Sequence, residues 1–188
     1  MTTLPPTAAA PIRLPVGKRE LDTLIAKGHA DTAAVRPLPC RTVAQGRFSQ
    51  LNHIRDLPPQ AVVENASPSL SSETVAPNAS EALLAALGSC LAVGIHANAV
   101  AQGIPIRSLA LDLTANLNAT AVWGAGNLAP HAIGFESIQV VVHIDAEVPR
   151  DSRAALVRHA TLWSPVANTL HNPVHLDVTL APAFVPVD

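Results

Sequence analysis

The chain has 188 residues, of which 48% are hydrophobic, 14% charged and 3% aromatic, and it contains no tyrosine. A formal charge of −2 without a basic run lacks the electrostatic footprint of a nucleic-acid binder. Two cysteines, Cys40 and Cys90, are too few and too far apart for a disulfide framework.

Length alone predicts one domain of ordinary size with room for an appendage. Ala, Leu and Val must do most of the packing. So little charge leaves a monomer short of solvated surface, which points to a homodimer, the commonest closed assembly. The N-terminal stretch MTTLPPTAAAPIRLP has no charged start followed by an apolar core, so it reads poorly as a signal peptide. Residues 78–103 come closest to a membrane span, but Ser89, His96 and Asn98 interrupt them, and no membrane association is expected. Reduced thiols make the cytoplasm the expected compartment.

In chain order, residues 1–39 read as an irregular arm carrying a short helix. Its Pro-rich first part is followed by GKRELDTLIAKGHA (17–30), with Leu21, Leu24 and Ile25 at helical spacing and Gly28 as a candidate stop. Residues 40–188 read as the domain proper. Strands are expected over Arg41–Phe48, Gln50–Arg55 and Ala61–Glu64, then a Ser/Pro/Asn-rich loop over 65–77.

The next element is the most informative. Asn78 to Gly103 forms an apolar helix of about seven turns at 3.6 residues per turn. Asn78 is a good N-cap, with Glu81 at the third helical position as in a capping box. Cys90 lies at its middle, where free cysteine is often inert filling. Gly88, Ser89 and Gly94 around it leave room either for a substrate or for close helix packing. A reactive thiol needs a cation or hydrogen-bond donors to favour its thiolate. No Lys or Arg lies in the helix, so Arg47 and Arg55 from the preceding strands are the candidates. His96 falls about 120° around the helix from Cys90, too far to touch it within one chain.

Two alternating strands follow. SLALDLTANL (108–117) places Leu109, Leu111, Leu113, Ala115 and Leu117 on one face, and ESIQVVVHIDAEV (136–148) repeats the pattern with Ile138, Val140, Val142 and Ile144. A Gly/Ala/Asn-rich connection over 118–134 joins them. Pro149 introduces a helix near 151–161, Ser164–Leu170 suggests a second short one, and HLDVTL (175–180) reads as a last strand with Leu176, Val178 and Leu180 on one face. The order of elements argues for an α+β fold, an antiparallel sheet with a long central helix and a shorter helix packed on it. His171 and His175 are four apart, but Pro173 prevents a helix carrying both, so no metal site is expected. His53, His143 and His159 show no partner pattern and read as surface or interface residues.

Two segments carry a resemblance. APNASEALLAALGSCLAVGIHANAVAQGI (76–104) resembles the Pro-x-Glu-Leu-Leu-Leu-Ala-Ala-Leu-Gly-x-Cys helix of the OsmC/Ohr family of osmotically inducible and organic hydroperoxide resistance proteins. LWSPVANTLHNPVHLDVTL (162–180) is similar to that family's Cys-Pro-x-x-Asn-Thr-Leu segment and last strand. The resemblance spans about residues 40–182 and implies an intertwined α+β homodimer with sites at the subunit interface. It implies that Cys90 is a peroxidatic thiol acting on an organic hydroperoxide, with no cofactor. Arg47, in QGR, best matches the family's catalytic arginine and Arg55 is second. The family's acid just before the helix falls at Ser80, with Glu81 as its neighbour. Where the family's resolving cysteine would stand, this chain has Ser164, so an external thiol reductant is implied. The alternative is a non-catalytic dimer of the same fold that binds an apolar small molecule beside Cys90.

Overall fold

The structure is a computed structural model that describes residues 17–33, 35, 37–46, 48–63, 76–118, 124, 129 and 133–181. The elements run α1 (Lys18–Ala30), β1 (Cys40–Gly46), β2 (Ser49–Ile54), β3 (Gln60–Val63), α2 (Ala79–Ala101), β4 (Ile106–Leu117), β5 (Phe135–Ala146), α3 (Arg150–Trp163) and α4 (Pro165–His171). The fold is α+β with antiparallel sheets and a long helix, as the order of elements implied. Residues 65–75 of the expected loop and most of the 118–134 connection lie outside the described residues.

Among the described residues the strands form two sheets where one was expected. One holds β1-β2-β3, the other β4-β5, all antiparallel. β4 and β5 are twelve residues each and pair from Ile106↔Ala146 to Leu117↔Phe135. Their alternation sends Leu109, Leu111, Leu113, Val140, Val142 and Ile144 to the half-buried face and leaves Asp112, Thr114, Gln139 and His143 in solvent. A strand that packs on one side only has this period of two.

α2 lies over this sheet. Its N-terminus is fixed by the predicted capping box: Glu81 N–H donates to Asn78 Oδ1 at 2.9 Å, and Asn78 N–H donates to Glu81 Oε2 at 2.8 Å. Leu87, Leu91, Ile95 and Ala99, spaced by four, form the buried stripe. By length and composition α2 could cross a membrane, with 23 residues and a mean hydropathy of 1.7, so the three polar residues interrupt it less than the sequence suggested. In this chain its stripe packs on β4 and α3.

The core sits where the C-terminal half of α2, α3 and the Ile106/Ala146 end of the sheet converge. Ile95, Ala99, Leu156 and Ala160 are essentially inaccessible, with Ile106 and Ala146 closing the cluster. Full burial of Ile95 or Leu156 contributes about 1.5–3 kcal/mol each. Two glycines allow the close approach of elements. A Cβ on Gly94 would stand 3.1 Å from Ala160 Cβ, and one on Gly88 would stand 3.0 Å from Leu113 Cδ1. Of the two roles open to these small residues, close packing is the one the geometry bears out.

α1 buries none of its residues and lies against α2, where Lys18 Nζ donates to the Ala101 carbonyl at 3.2 Å. That places a cation at the C-terminal carbonyls of α2, where the helix dipole favours it.

The last predicted strand is not formed. Residues 173–181 adopt no regular element, and Leu176, Val178 and Leu180 are 81%, 83% and 97% exposed. A strand exists only by pairing its N–H and C=O groups with a neighbour. Among the described residues no strand edge pairs with the segment.

Candidate functional site

α3 ends and α4 begins at one residue. Ser164 is both the C-cap of α3 and the N-cap of α4, and Pro165 at the first position of α4 has no N–H to leave unpaired. Ser164 Oγ accepts from Ala167 N–H at 3.1 Å, which is the local reason a serine ends the turn there. The same hydroxyl donates to Cys90 Sγ, also at 3.1 Å. Ser164 is only 3% exposed, the one buried polar residue among those described. The junction is held from behind by Asn168, whose Nδ2 donates to the Ser164 carbonyl at 2.8 Å and to the Leu162 carbonyl at 2.9 Å.

Cys90 is half-buried, on the flank of α2 next to the Leu87–Leu91 stripe. Beside it runs a groove of about 830 Å³ between α2, β5, α3 and α4. Leu87, Leu91, Ile95, Val140, Leu162 and Ala167 give it a mainly apolar wall, and Asn168 and His171 add polar edges. The sulfur is not itself in that wall. Its chain neighbour Leu91 is, as is Ala167, whose N–H is bonded to Ser164. An apolar trough beside a thiol with one directed proton donor can hold a small apolar molecule near a nucleophile.

The other predicted site residues are placed differently. Arg47 lies outside the described residues. Arg55 is exposed at the end of β2 with a φ of +53°, a left-handed conformation uncommon outside glycine. Among the described residues, neither Arg55 nor Glu81 has a hydrogen bond or ion pair with Cys90. Glu81 is engaged in the helix cap. Cys40 is exposed at the start of β1, opposite Ile54, and forms no disulfide. His96 is partly buried, and burial lowers its imidazole below the ordinary range. No group of three or more His, Cys, Asp or Glu residues among those described could hold a metal ion.

Sequence reasoning missed two features. Asn168 was legible only as part of the Asn-Thr-Leu segment, and its double bond to the α3–α4 junction needs the turn to be seen. The other is charged. Arg107 forks onto Asp145 through Nε at 2.9 Å and Nη2 at 2.6 Å, and its Nη1 donates to Glu147. Arg107 holds the Asp145 carboxyl below the usual carboxylate range, and the two carboxylates raise the guanidinium further. This exposed fork, with the His143–Asp112 pair at 2.9 Å, ties β4 to β5 on the outer face.

Residues 71–179 match the family profile of OsmC-like proteins. The chain belongs to the OsmC-like family. The matched span holds α2, β4, β5, α3, α4 and both Cys90 and Ser164. Among solved structures it is similar to an OsmC-like protein from Mycoplasma pneumoniae, with a TM-score of 0.60 and 17% identity over 73% of this chain and 89% of that one. It is also similar to an organic hydroperoxide resistance protein OsmC from Legionella pneumophila, with a TM-score of 0.51 and 19% identity over 73% and 90%. An OsmC-like protein of unknown function from Vibrio cholerae gives a TM-score of 0.52 and 13% identity over 72% and 94%. At these identities the likeness is one of fold. No curated protein matches the chain in sequence.

Proposed function

We propose that the protein is a cytoplasmic thiol-dependent peroxidase that reduces organic hydroperoxides at Cys90 and is recycled by an external thiol. Membership of the OsmC-like family supports a redox or hydroperoxide-resistance role. The observation that carries the finer reading is the hydroxyl of Ser164 donating to Cys90 Sγ at the position where the resemblance implies a second thiol.

The chemistry follows from these groups. The Cys90 thiolate attacks the distal oxygen of ROOH and the O–O bond breaks. Sulfur keeps that oxygen as a sulfenic acid, and RO⁻ leaves and takes a proton to become the alcohol. Ser164 offers no sulfur, so a monothiol or dithiol condenses with the sulfenic acid and water departs. A second thiol group then releases Cys90 and carries away the disulfide. The adjoining apolar groove suits the organic part of the hydroperoxide.

The site is proposed to be completed in a homodimer. Val93 on α2 is 69% exposed, Leu162 and Trp163 are 70% and 72% exposed, and the 173–181 segment is unpaired. Exposed apolar surface of this extent marks an interaction face. The partner copy would bring its own Arg47, Arg55 and Glu81 to the assembly, and Arg47 or Arg55 is proposed to stabilise the thiolate, with Glu81 in a supporting role.

Consumption of cumene hydroperoxide with dithiothreitol tests the reading. Cys90→Ser is expected to abolish turnover, and turnover at the wild-type rate would refute the assignment. The absence of any guanidinium bonded to Cys90 among the described residues favours one alternative, a dimer that binds an apolar small molecule in the groove without catalysis. In that case binding would survive Cys90→Ser and wild-type protein would consume no hydroperoxide.

A further inference from the structure

The Ser164 hydroxyl has two neighbours and two functions to divide between them. Its lone pair accepts from Ala167 N–H at 3.1 Å, which leaves its only proton for the Cys90 sulfur at 3.1 Å. A hydroxyl that already accepts a bond is a better donor, because chained hydrogen bonds polarise one another. The donor cannot turn away to water, since Ser164 is 3% exposed. Nor can its backbone drift, because Asn168 holds the Ser164 and Leu162 carbonyls with one nitrogen. The elements around the middle of α2 carry other ionisable side chains: His96 on α2 itself, Asp112 on β4, Arg158 and His159 on α3, and His171 on α4. None of these is bonded to the sulfur. The serine that removes the second thiol is thus also the one group in direct polar contact with Cys90 among the described residues.

We propose that Ser164 is a positioning residue for Cys90, whose hydroxyl fixes the sulfur's orientation and donates its proton to the thiolate through the chain Ala167 N–H to Ser164 O–H to Cys90 S. The inference rests on the reading of Cys90 as a reactive thiol and adds a role for the residue opposite it. In a peroxidase with a second cysteine the corresponding atom is spent as the resolving sulfur. Here it is free to serve the attacking one throughout the cycle.

The test is iodoacetamide alkylation of the folded protein, followed by mass spectrometry across pH 5–9 in a Cys40→Ser background. It needs no hydroperoxide. Ser164→Ala is expected to slow alkylation near neutrality by roughly three- to tenfold, the range for loss of one ordinary intramolecular hydrogen bond. Ser164→Thr keeps both the acceptor and the proton and is expected to restore the wild-type profile. Ser164→Gly lacks the hydroxyl but caps a helix almost as well as serine. It should therefore fold where alanine weakens α4, and should match Ser164→Ala. Coincident profiles for wild type, Ser164→Ala and Ser164→Gly would overturn the role of Ser164 while leaving the peroxidase reading intact. A folded wild-type protein whose Cys90 resists alkylation at every pH would instead overturn the reactive-thiol reading beneath it.

Discussion

Ser164 Oγ and Cys90 Sγ are 3.1 Å apart although 74 residues separate them in the chain. A sulfur placed at that γ position would be within reach of a disulfide after a small rotation, since both side chains already converge. In a Cys40→Ser background, Ser164→Cys treated with one equivalent of hydroperoxide is expected to lose both thiols and to regain them with dithiothreitol. The protein with Ser164 intact should lose one thiol and become susceptible to a sulfenic-acid reagent. Thiol titration after denaturation distinguishes the two. Retention of both thiols in Ser164→Cys would mean that the residues do not face each other in solution.

The two glycines of α2 should behave oppositely. A methyl group at Gly88 meets the end of the Leu113 side chain, which can rotate, so Gly88→Ala is expected to be neutral or to stabilise by up to about 1 kcal/mol through helix propensity. At Gly94 the same methyl meets Ala160 Cβ at 3.1 Å and Cα at 3.4 Å, which move only with α3. Gly94→Ala should be net destabilising, and Gly94→Leu should cost about 1–3 kcal/mol or more. Urea denaturation of the three variants measures the difference, and a stabilised Gly94→Leu would contradict the packing of α2 on α3.

Removal of the Asn168 amide should loosen the α3–α4 junction. Asn168→Ala removes the side-chain donor from the Leu162 and Ser164 carbonyls, while the Ser164 carbonyl keeps the Asn168 N–H at 3.0 Å, so the expected loss is about 0.5–1.5 kcal/mol. Because the Ser164 backbone is then less constrained, Cys90 alkylation should slow as well. Unchanged stability together with an unchanged alkylation rate would show that Asn168 holds nothing in place.

His96 links stability to pH. Burial lowers its folded-state value below the ordinary 6.5, so the unfolded chain binds the proton first as pH falls. Stability then rises with pH through this window, because the unfolded state carries the extra proton. The contribution of His96 is complete above about pH 6.5 and declines as pH falls towards its folded-state value. His96→Asn should flatten this part of the stability curve, measured by urea midpoints between pH 5 and 8. Asp145 adds a second, more acidic loss, since its carboxyl is held low by Arg107 and its contribution fades as pH falls below the unfolded carboxylate value. Arg107→Gln should remove that acid-side slope and leave the His96 region unchanged.

Much of this was legible because it is local. Asn78 and Glu81 announce their own cap within four residues, and the alternation of Leu109 to Leu117 names the face that β4 buries. The two motifs at Cys90 and Ser164 also sufficed for the family. What escaped the sequence is non-local. Nothing along the chain says that Arg107 lies across from Asp145, or that Ser164 aims its proton at Cys90 rather than at water. HLDVTL shows a third kind of limit: its pattern states which side chains would share a face, but forming a strand depends on an edge that the described residues of the single chain do not supply.

That unpaired segment bears on how the protein withstands dilution. Leu176, Val178 and Leu180 lie open to water at the far end of a chain whose small core is gathered around Ile95 and Leu156. Covering them against a second copy would make folding and association one equilibrium, and the thermal midpoint would climb with protein concentration. An unfolding temperature quoted for this protein would have meaning only beside the micromolar value at which it was measured.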